Sequence, residues 1–245
     1  MPDLVGTALT AVILQPSYLP WRGYFHLMSR ADVFVHYDDV QYTRQDWRSR
    51  NRIRVPGGVE WLTIPVDNAG FLTNRLLIKD ARVHWGRQWN RSHRDKIVRS
   101  YSRTPHFTRY FPAVDEILSA HEDLLVAYTI PLVERLAAAL GIASTRIVRS
   151  SELGIEDDDP TERLVRICQH LGADRYLSGP SAKDYLDESR FTRAGIELEY
   201  MEYRYPAYRQ IDDLYEPAVS VIDLLFMTGE QAPDYIWGER ANALS

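Results

Sequence analysis

The sequence predicts an α/β protein whose mainly parallel sheet is interrupted by a β-hairpin and a group of helices. Two observations lead to this prediction. Short apolar runs alternate with helical patterns near both ends of the chain, as they do in strand–helix–strand units. The stretch at about 41–140 breaks this alternation and carries most of the basic charge. We therefore expect one domain, 1–245, with a basic insert of a hairpin and helices at about 41–140.

The first predicted elements form a strand–loop–helix–strand unit. Ala8–Leu14 is a short apolar run, which is typical of a buried strand. Two prolines within five residues exclude a helix in the loop Gln15–Gly23. Tyr24–Ala31 then has the apolar spacing of a helix, and Asp32–Tyr37 predicts a second buried strand. This order of elements is the building block of a parallel sheet.

A hairpin and three helices are predicted within the insert. Arg52–Val55 and Glu60–Val66 flank Pro56-Gly57-Gly58, which has the composition and length of a hairpin turn. Helical patterns follow at Trp89–Ser102, Pro112–Ser119 and His121–Leu140.

Strands and helices alternate again after the insert, which completes the prediction of a parallel sheet. The predicted strands are Arg146–Val148, Arg175–Leu177 and the half-exposed edge strand Ile196–Met201. The predicted helices are Thr161–Leu171, which Gly172 closes, a helix that begins at Ala182, and Val219–Met227.

Composition excludes several classes of protein. A chain with 45% hydrophobic and 26% charged residues is an ordinary globular protein and not a disordered one. No apolar run approaches the ~18–20 residues that span a bilayer, and Met1–Thr10 lacks a basic region before an apolar stretch. We expect no membrane segment and no signal peptide. The single cysteine, Cys168, excludes an internal disulfide, and we interpret it as a buried filler in a helix. A cytoplasmic protein is expected.

The absence of known histidine and glycine motifs excludes several kinds of functional site. The seven histidines lack zinc-site spacing, so no metal site is predicted. Sequence motifs for a serine-hydrolase elbow, a P-loop and a dinucleotide-binding loop are absent. The cofactor therefore stays open, with ATP or an acyl thioester donor as candidates.

The net charge of −5 conceals a strongly basic segment. Residues 41–110 contain 15 Lys and Arg against five Asp and Glu, whereas the rest contains 14 against 29. This local excess favours a small anionic ligand, and no nucleic-acid motif accompanies it. An acidic acyl- or aminoacyl-carrier protein is a second candidate partner. Closely spaced arginines occur at Arg44, Arg48, Arg50, Arg52 and Arg54. A solvated basic face accounts for most of them equally well, but arginine in place of lysine favours phosphate or carboxylate recognition.

Gln15–Gly23 follows the carboxyl end of the first predicted strand, where open α/β sheets bind ligands. The free N–H groups at the start of the next helix suit a phosphate or carboxylate. Gln15 has an amide that both donates and accepts hydrogen bonds, so we interpret it as a ligand-binding residue. A structural corner packed by Tyr18 and Trp21 is the alternative.

Two neighbouring aspartates, Asp38 and Asp39, follow the second predicted strand just after His36. Adjacent carboxylates at a strand end suit a general base or a cation site, and strand-end aspartates also cap turns. If the strand continues, Asp38 and Gln41 point to one side and Asp39 to the other. His36 is the first histidine candidate for chemistry, and His93 on the basic helix is the second.

Ser178-Gly179-Pro180-Ser181 lies between a later strand and its helix, at the same predicted edge of the sheet. Lys183 falls in the first turn of that predicted helix, where a cation opposes the helix dipole. A bound anion would offset this opposition. A solvated surface lysine is the alternative interpretation.

Seven motifs follow one another along the chain: ILQPSYLPWRGYF at 13–25, YDDVQY at 37–42, NRI at 51–53, WLTIPV at 61–66, YLSG at 176–179, YRQ at 208–210 and SVIDLLF at 220–226. In this order they resemble the WbqC-like family over nearly the whole chain. The resemblance implies a role in gene clusters for O-antigen, other surface sugars or secondary metabolites, and a group-transfer reaction. Many relatives carry histidine before the Gln-Pro pair, where this chain has Leu14, so a mechanism that uses that histidine does not apply here.

A looser resemblance concerns the fold. A strand, a proline-rich loop and a helix resemble the nucleotidyltransferase arrangement in which an H-x-G-H motif holds a triphosphate. Here the four positions are Trp21-Arg22-Gly23-Tyr24, so only the glycine remains. The resemblance implies a Rossmann-like, nucleotidyltransferase-like sheet, and it does not imply adenylyl transfer.

These observations favour a transferase that moves an acyl or aminoacyl group to an amine and forms an amide. The acceptor would be an amino sugar, a sugar nucleotide or an amino-acid-derived building block. Alternatives are an ATP-dependent activating or nucleotidyl-transferring enzyme and a non-catalytic sugar-nucleotide-binding protein. The candidate catalytic residues are Asp38, Asp39 and His36. The candidate substrate-binding residues are Gln15, Tyr18, Gly23, Tyr24, Gln41, Arg50, Asn51, Arg52, His93, Ser178, Gly179, Lys183 and Gln210.

Overall fold

The computed structural model describes residues 8–67, 76–86 and 88–238. These residues divide into two compact units. The sheet unit contains residues 8–14, 27–37 and 144–203, and the hairpin–helix unit contains the described residues of 15–26, 38–143 and 204–238.

The strands are β1 (Thr10–Leu14), β2 (Val33–His36), β3 (Arg50–Val55), β4 (Gly58–Thr63), β5 (Arg146–Arg149), β6 (Arg175–Ser178) and β7 (Glu197–Tyr200). The α-helices are α1 (Arg22–Ser29), α2 (Trp89–Tyr101), α3 (Phe107–Ser119), α4 (Val126–Ala139), α5 (Pro160–Leu171), α6 (Glu188–Arg193) and α7 (Val221–Thr228).

Five parallel strands form the sheet unit, in the order β5-β2-β1-β6-β7. The predicted α/β class, with a mainly parallel sheet and a separate hairpin, is confirmed. The connection from β1 leads to β2 on one side, and β6 leads to β7 on the other. Open α/β sheets bind ligands beyond the carboxyl ends of strands, beside such a reversal of direction.

Local sequence signals account for α5 and for the core beneath it. Asp159 caps the helix by accepting a hydrogen bond from the Glu162 N–H, 2.9 Å away, and Pro160 occupies the first turn. Gly172 ends the helix in a left-handed conformation, as predicted. The buried face of α5, which includes Cys168, belongs to the same apolar cluster as Val33 on β2.

The hairpin of the other unit begins two residues before its predicted start. β3 and β4 pair from Arg50 with Thr63 to Val55 with Gly58, so the turn contains two residues. Gly57 has a φ of +80°, which glycine adopts without strain. The predicted hairpin is confirmed, and its predicted turn was too long.

Three predicted helix starts differ from the structure by more than two residues. α3 begins at Phe107 and contains Pro112, which had been placed at its first turn. α4 begins at Val126, because Leu125 donates its N–H to the Ala81 carbonyl, 2.8 Å away. No α-helix begins at Ala182.

The segment that follows β6 forms a short 3₁₀ turn, Pro180–Asp184, in place of the predicted α-helix. The α-helix α6 begins only at Glu188, because the Asp187 side chain caps it by accepting from the Ser189 N–H, 3.0 Å away. Lys183 therefore lies in the 3₁₀ turn, and the predicted conflict with an α-helix dipole does not arise. Within the described part of the chain, no helix combines the length and apolar character that crossing a membrane requires.

Candidate functional site

A basic cleft opens in the hairpin–helix unit and has a volume of about 1080 Å³. The end of α2, the turn that joins it to α3, the segment 209–211 and the region after α7 surround it. Its charged lining residues are Arg99, Arg103, Arg109, Arg209 and Glu230, and the histidine His106 also lines it. This size is that of a pocket for a small organic molecule.

Three of the four cleft arginines have no carboxylate partner among the described residues. Arg109 pairs with Glu230 at 2.7 Å, and both side chains are exposed. Arg99, Arg103 and Arg209 are exposed and make no ion pair with any residue in the described ranges 8–67, 76–86 and 88–238. Planar guanidinium groups favour phosphate and carboxylate, which they bind through paired hydrogen bonds. The cleft is therefore suited to an anionic ligand.

His106 is the histidine of the cleft and is held by its surroundings. Its backbone N–H donates to the Phe226 carbonyl at 3.1 Å, and its ring packs against the backbone of Gly229. His106 stands immediately before α3 but does not cap that helix with its side chain. An imidazole fixed beside arginines has the position of a proton-transfer group.

A buried carboxylate, Asp223, organises the segment next to the cleft. Its Oδ1 atom accepts from the Tyr101 hydroxyl at 2.9 Å, and its Oδ2 atom accepts from the Tyr208 hydroxyl at 2.6 Å. The Gln210 amide also donates to Oδ2 at 2.9 Å. Burial raises the pKa of Asp223, although these three donors act in the opposite direction. Because Gln210 is locked in this network, the neighbouring Arg209 projects from a fixed backbone.

Arg22 also stabilises the structure next to the cleft, through three hydrogen bonds. Its guanidinium donates to the carbonyls of Pro206 and Tyr235, at 3.0 and 3.3 Å, and to the Tyr215 hydroxyl at 2.7 Å. It also lies over the Tyr208 ring, 5.6 Å from the centroid. Because Tyr235 lines the cleft, this buried arginine fixes one of its walls.

Two predicted substrate-binding residues, Tyr18 and His93, are hydrogen-bonded to each other. The Tyr18 hydroxyl lies 2.9 Å from His93 Nδ1, and the Thr63 N–H donates to His93 Nε2 at 3.1 Å. Burial, with a contribution from the nearby Lys96, lowers the pKa of His93 to about 3. Substrate binding by Tyr18 and His93 stays a prediction. In this structure the Tyr18 hydroxyl and His93 Nδ1 are hydrogen-bonded to each other.

The predicted loop at the start of α1 is closely packed. The Tyr24 hydroxyl donates to the Gln15 carbonyl at 3.3 Å, and Tyr24 is buried. A side chain at Gly23 would collide with the indole ring of Trp21, so glycine is required for this packing. The ligand-binding roles predicted for these residues stay predictions.

The predicted residues of β3 take three different positions. Arg50 stacks on the Trp61 ring at 4.4 Å from its centroid. Asn51 is buried and donates to the Leu19 carbonyl at 2.7 Å. Arg52 donates to the Ala218 carbonyl at 2.8 and 3.1 Å. Asn51 and Arg52 thus bind the protein's own backbone, and the guanidinium groups of Arg50 and Arg52 both lie by the exposed Trp61 ring.

The predicted residues after β2 lie on an irregular segment, because β2 ends at His36. Asp38 is fully buried and its carbonyl accepts from the Lys79 N–H at 2.7 Å. Asp39 is half-buried, and Gln41 is exposed and bridges to Leu77. None of these three residues lines the basic cleft.

In the sheet unit, the predicted residues lie at the carboxyl ends of parallel strands. His36 ends β2 and is buried, with its ring edge-on to Phe34 at 5.2 Å. Ser178 ends β6 and is followed by Gly179. The Lys183 ammonium lies 5.0 Å from the centroid of the Tyr200 ring. The shared edge predicted for these strands is present, because β1 pairs with both β2 and β6 in parallel.

Most residues of the cleft were not among the predicted site residues. Arg99, Arg103 and Arg109 belong to the basic segment already counted, so local charge was a signal for them. Arg209 carried no such signal, because it is about a hundred residues away from these arginines along the chain. His106 lies within the basic segment, but no motif singled it out among the seven histidines. Of the predicted site residues, only Gln210 lines the cleft. Within the described residues, no group of three or more His, Cys, Asp or Glu side chains is placed to hold a metal ion.

Comparison with known proteins agrees with the family resemblance that the motifs indicate. The model of the WbqC-like protein family matches residues 15–235. The chain belongs to the WbqC-like protein family. The uncharacterized protein Rv1507c of Mycobacterium tuberculosis is 38% identical to this WbqC-like chain over 226 residues, which cover 91% of the chain and 96% of the relative. No solved structure matches the chain.

Three of the seven family motifs meet in the hairpin–helix unit of this WbqC-like protein. Arg22 from the first motif and Tyr208 from the sixth are in contact, and Tyr208 donates to Asp223 of the seventh. Residues far apart in sequence thus form one buried polar network beside the cleft.

Proposed function

We propose that this WbqC-like protein is a biosynthetic transferase that joins an acyl or aminoacyl group to an amine and holds an anionic substrate in the basic cleft. The observation that carries this proposal is the group of Arg99, Arg103 and Arg209, which line the cleft, are exposed and have no carboxylate partner in the part of the chain that the structure describes. Three such guanidinium groups in one concave site are balanced by an anion on a ligand.

The volume and charge of the cleft favour a nucleotide-sized substrate. Both candidate reactants can carry phosphate: a sugar nucleotide as acceptor, or a coenzyme-A-like thioester as donor. An amino sugar or an amino-acid-derived building block is also a suitable acceptor, because each offers an amine. The products would belong to surface polysaccharides such as O-antigen, or to secondary metabolites, and the reaction would occur in the cytoplasm.

The transfer requires a proton acceptor, because an amine loses a proton as it attacks a carbonyl. His106 is our first choice, since its ring lines the cleft and is held against Gly229. Asp38 or Asp39, with His36 nearby in sequence, is the choice that follows from the sequence alone. The two assignments predict different inactive variants.

A second candidate function is ATP-dependent activation, because the same arginines would also bind a triphosphate. It requires release of ADP or pyrophosphate, which simple group transfer does not. We also propose a Rossmann-like, nucleotidyltransferase-like relationship for the sheet unit, which the strand order with its reversal between β1 and β6 supports. A non-catalytic sugar-nucleotide-binding protein is the remaining alternative.

Ligand binding tests the cleft directly. Thermal unfolding would be measured with ATP, coenzyme A and a uridine-diphosphate amino sugar, for the wild type and for an Arg103→Ala, Arg209→Ala double variant. A ligand at 100 times its Kd adds about 2.7 kcal/mol to the stability of the folded state. We expect at least one ligand to stabilise the wild type and the double variant to lose most of that effect. Arg91→Ala on α2 is the control, because Arg91 is exposed and lies outside the cleft.

Turnover separates the enzyme from a binding protein. With a ligand pair identified, amide formation would be followed by mass spectrometry in His106→Asn, Asp38→Asn and Asp39→Asn variants. His106→Asn is expected to lower kcat by about a hundredfold or more while ligand stabilisation is retained. Normal turnover in His106→Asn would transfer the base assignment to the aspartates. Binding without any turnover in the wild type would reject the transferase.

A further inference from the structure

The β3–β4 hairpin exposes an unusual set of side chains that is separate from the lining of the cleft. Trp47 and Trp61 are 49% and 40% exposed, and their ring centroids are 5.6 Å apart. Val59, on the same face of β4 as Trp61, is 36% exposed. We call Trp47, Arg50, Arg52, Val59 and Trp61 the Trp–Arg face. Exposed apolar groups gathered in one place indicate a protein or ligand contact surface.

The loop that carries Trp47 is held in one conformation by its neighbours. The Asp46 carboxylate accepts from the Thr43 hydroxyl at 2.7 Å and from the Trp47 N–H at 2.5 Å, and it pairs with Arg48. The Trp47 carbonyl accepts from the Tyr18 N–H at 2.9 Å. The backbone at Trp47 is thus held in place while its ring is exposed, so binding through this ring would cost little conformational entropy.

The Trp–Arg face is also basic. The Arg50 and Arg52 guanidinium groups lie 4.4 and 5.6 Å from the centroid of the Trp61 ring. Glu216 is 3.7 Å from Arg52 and compensates it in part. Tryptophan and arginine are the residues that contribute most to binding energy in protein interfaces. Their combination with a positive charge favours a protein partner with an acidic surface.

The hairpin connects this face to the basic cleft. Arg52 and Val55 are three residues apart on β3, or about 10 Å of strand. Pro56, the next residue, lines the cleft. Beyond it, the Gly57 N–H donates to the Asp212 carboxylate at 2.8 Å, close in sequence to Arg209 of the cleft. A partner bound to the face would therefore sit close to the part of the cleft lining that Pro56 of the hairpin turn provides.

We propose that the Trp–Arg face docks an acidic acyl-carrier protein, which delivers the acyl group to the basic cleft as a thioester. This inference rests on the proposed transferase function. The amine nitrogen attacks the thioester carbonyl, the C–N bond forms and the C–S bond breaks. The proton lost by the amine is transferred through the base to the departing thiolate of the carrier's arm. No oxidant or reductant is needed.

Binding would be measured by surface plasmon resonance with a purified, phosphopantetheinylated acyl-carrier protein. The variants are Trp47→Ser, Trp61→Ser and Arg50→Glu, with circular dichroism to check folding. Each is expected to weaken carrier binding by about tenfold or more, because each removes an interface anchor or reverses its charge. Val98→Ser is the matched control, since Val98 is 39% exposed on α2, outside the face. Poly-glutamate is the second probe, and it is expected to bind equally to the wild type and to the tryptophan variants.

Three results would overturn the docking proposal: no carrier binding by the wild type, equal carrier affinity in all variants, or a dimer that Trp47→Ser dissociates in sedimentation. Activity distinguishes failure of docking from failure of the proposed function. We expect Trp47→Ser and Trp61→Ser to lose transfer from the carrier-bound thioester and to keep transfer from a small pantetheine thioester. Equal loss or equal retention with both donors would reject docking alone. If the wild type transferred from neither donor to any amine acceptor, the transferase function itself would be rejected.

Discussion

The His106 ring lies directly against Gly229, so that a β-carbon at position 229 would come within 2.5 Å of its Nδ1 atom. Gly229 ends α7 with φ +58° and ψ −128°, a conformation that side chains strongly disfavour. The position of the cleft histidine therefore depends on the absence of a side chain in another part of the chain.

Gly229→Ala is expected to move His106 and to weaken ligand binding in the cleft. The added methyl group would collide with the ring, and the backbone strain would lower the free energy of unfolding by about 1–3 kcal/mol. Urea denaturation would measure the loss of stability, and thermal shift with a cleft ligand would measure the loss of binding.

Gly141→Ala provides the control for this prediction. Gly141 also has a positive φ, +80°, but a β-carbon there would contact nothing within 4 Å. It should lose stability and keep ligand binding. If both variants bound ligand as the wild type does, the contact with Gly229 would not position His106.

Asp223→Ala is expected to be among the most destabilising substitutions in the hairpin–helix unit. It would leave the hydroxyl groups of Tyr101 and Tyr208 without their acceptor in a buried site, whereas the Gln210 amide would keep its hydrogen bond to the Glu216 carbonyl at 3.0 Å. Each stranded donor costs about 1–3 kcal/mol. Asp223→Asn should cost less, because its amide oxygen keeps one acceptor. The free energy of unfolding in urea measures both effects.

Glu116→Ala is the comparison for that experiment. Glu116 pairs with Arg135 at 3.0 Å on the exposed surface, where a salt bridge contributes about 0–1 kcal/mol. Similar losses for Asp223→Ala and Glu116→Ala would show that the buried network contributes little to stability.

Elements whose position depends on residues close in sequence could be predicted from the sequence. The apolar run of β1 and the Asp159 and Gly172 caps of α5 are examples. The start of α4 was wrong because Leu125 pairs with Ala81, a contact between distant segments that the helical pattern does not contain. Propensity and periodicity cannot register such tertiary contacts.

The candidate site shows the same division. The excess of arginine in residues 41–110 predicted an anionic ligand, and three of these arginines line the cleft. The opposite wall, with Arg209 and Glu230, comes from the end of the chain and joins the cleft only through folding. Polar motif residues such as Asn51 were predicted to bind substrate, but a buried amide can equally satisfy a backbone carbonyl, as Asn51 does.

His93 should make the protein less stable in acid. Its pKa is about 3 in the folded protein and 6.5 ordinarily, so between these values the unfolded chain binds a proton that the folded protein does not. The uncharged, buried His93 therefore contributes fully to the stability of the folded protein above pH 6.5, and this contribution is lost as the pH falls toward 3. The slope is about 1.4 kcal/mol per pH unit within this window. The free energy of unfolding in urea would be measured from pH 7 to pH 4 for the wild type and for His93→Gln. The variant is expected to have a smaller slope.

His84→Gln tests whether that effect is specific. His84 is exposed and paired with Asp67 at 2.7 Å, so this substitution is the control for the loss of a histidine side chain that is not buried. If His93→Gln kept the slope of the wild type, acid sensitivity would come from other groups.

Cys168 should be unreactive in the folded protein. The side chain is fully buried in the core of the sheet unit, and burial raises the pKa of its thiol to about 12. Relative to its ordinary value of 9.0, this lowers the thiolate fraction on the order of a thousandfold at pH 8. Alkylation by iodoacetamide, followed by mass spectrometry, should label Cys168 only in denaturant. Labelling of the native protein at the rate of the unfolded chain would show an accessible thiol and would make Cys168 a candidate nucleophile.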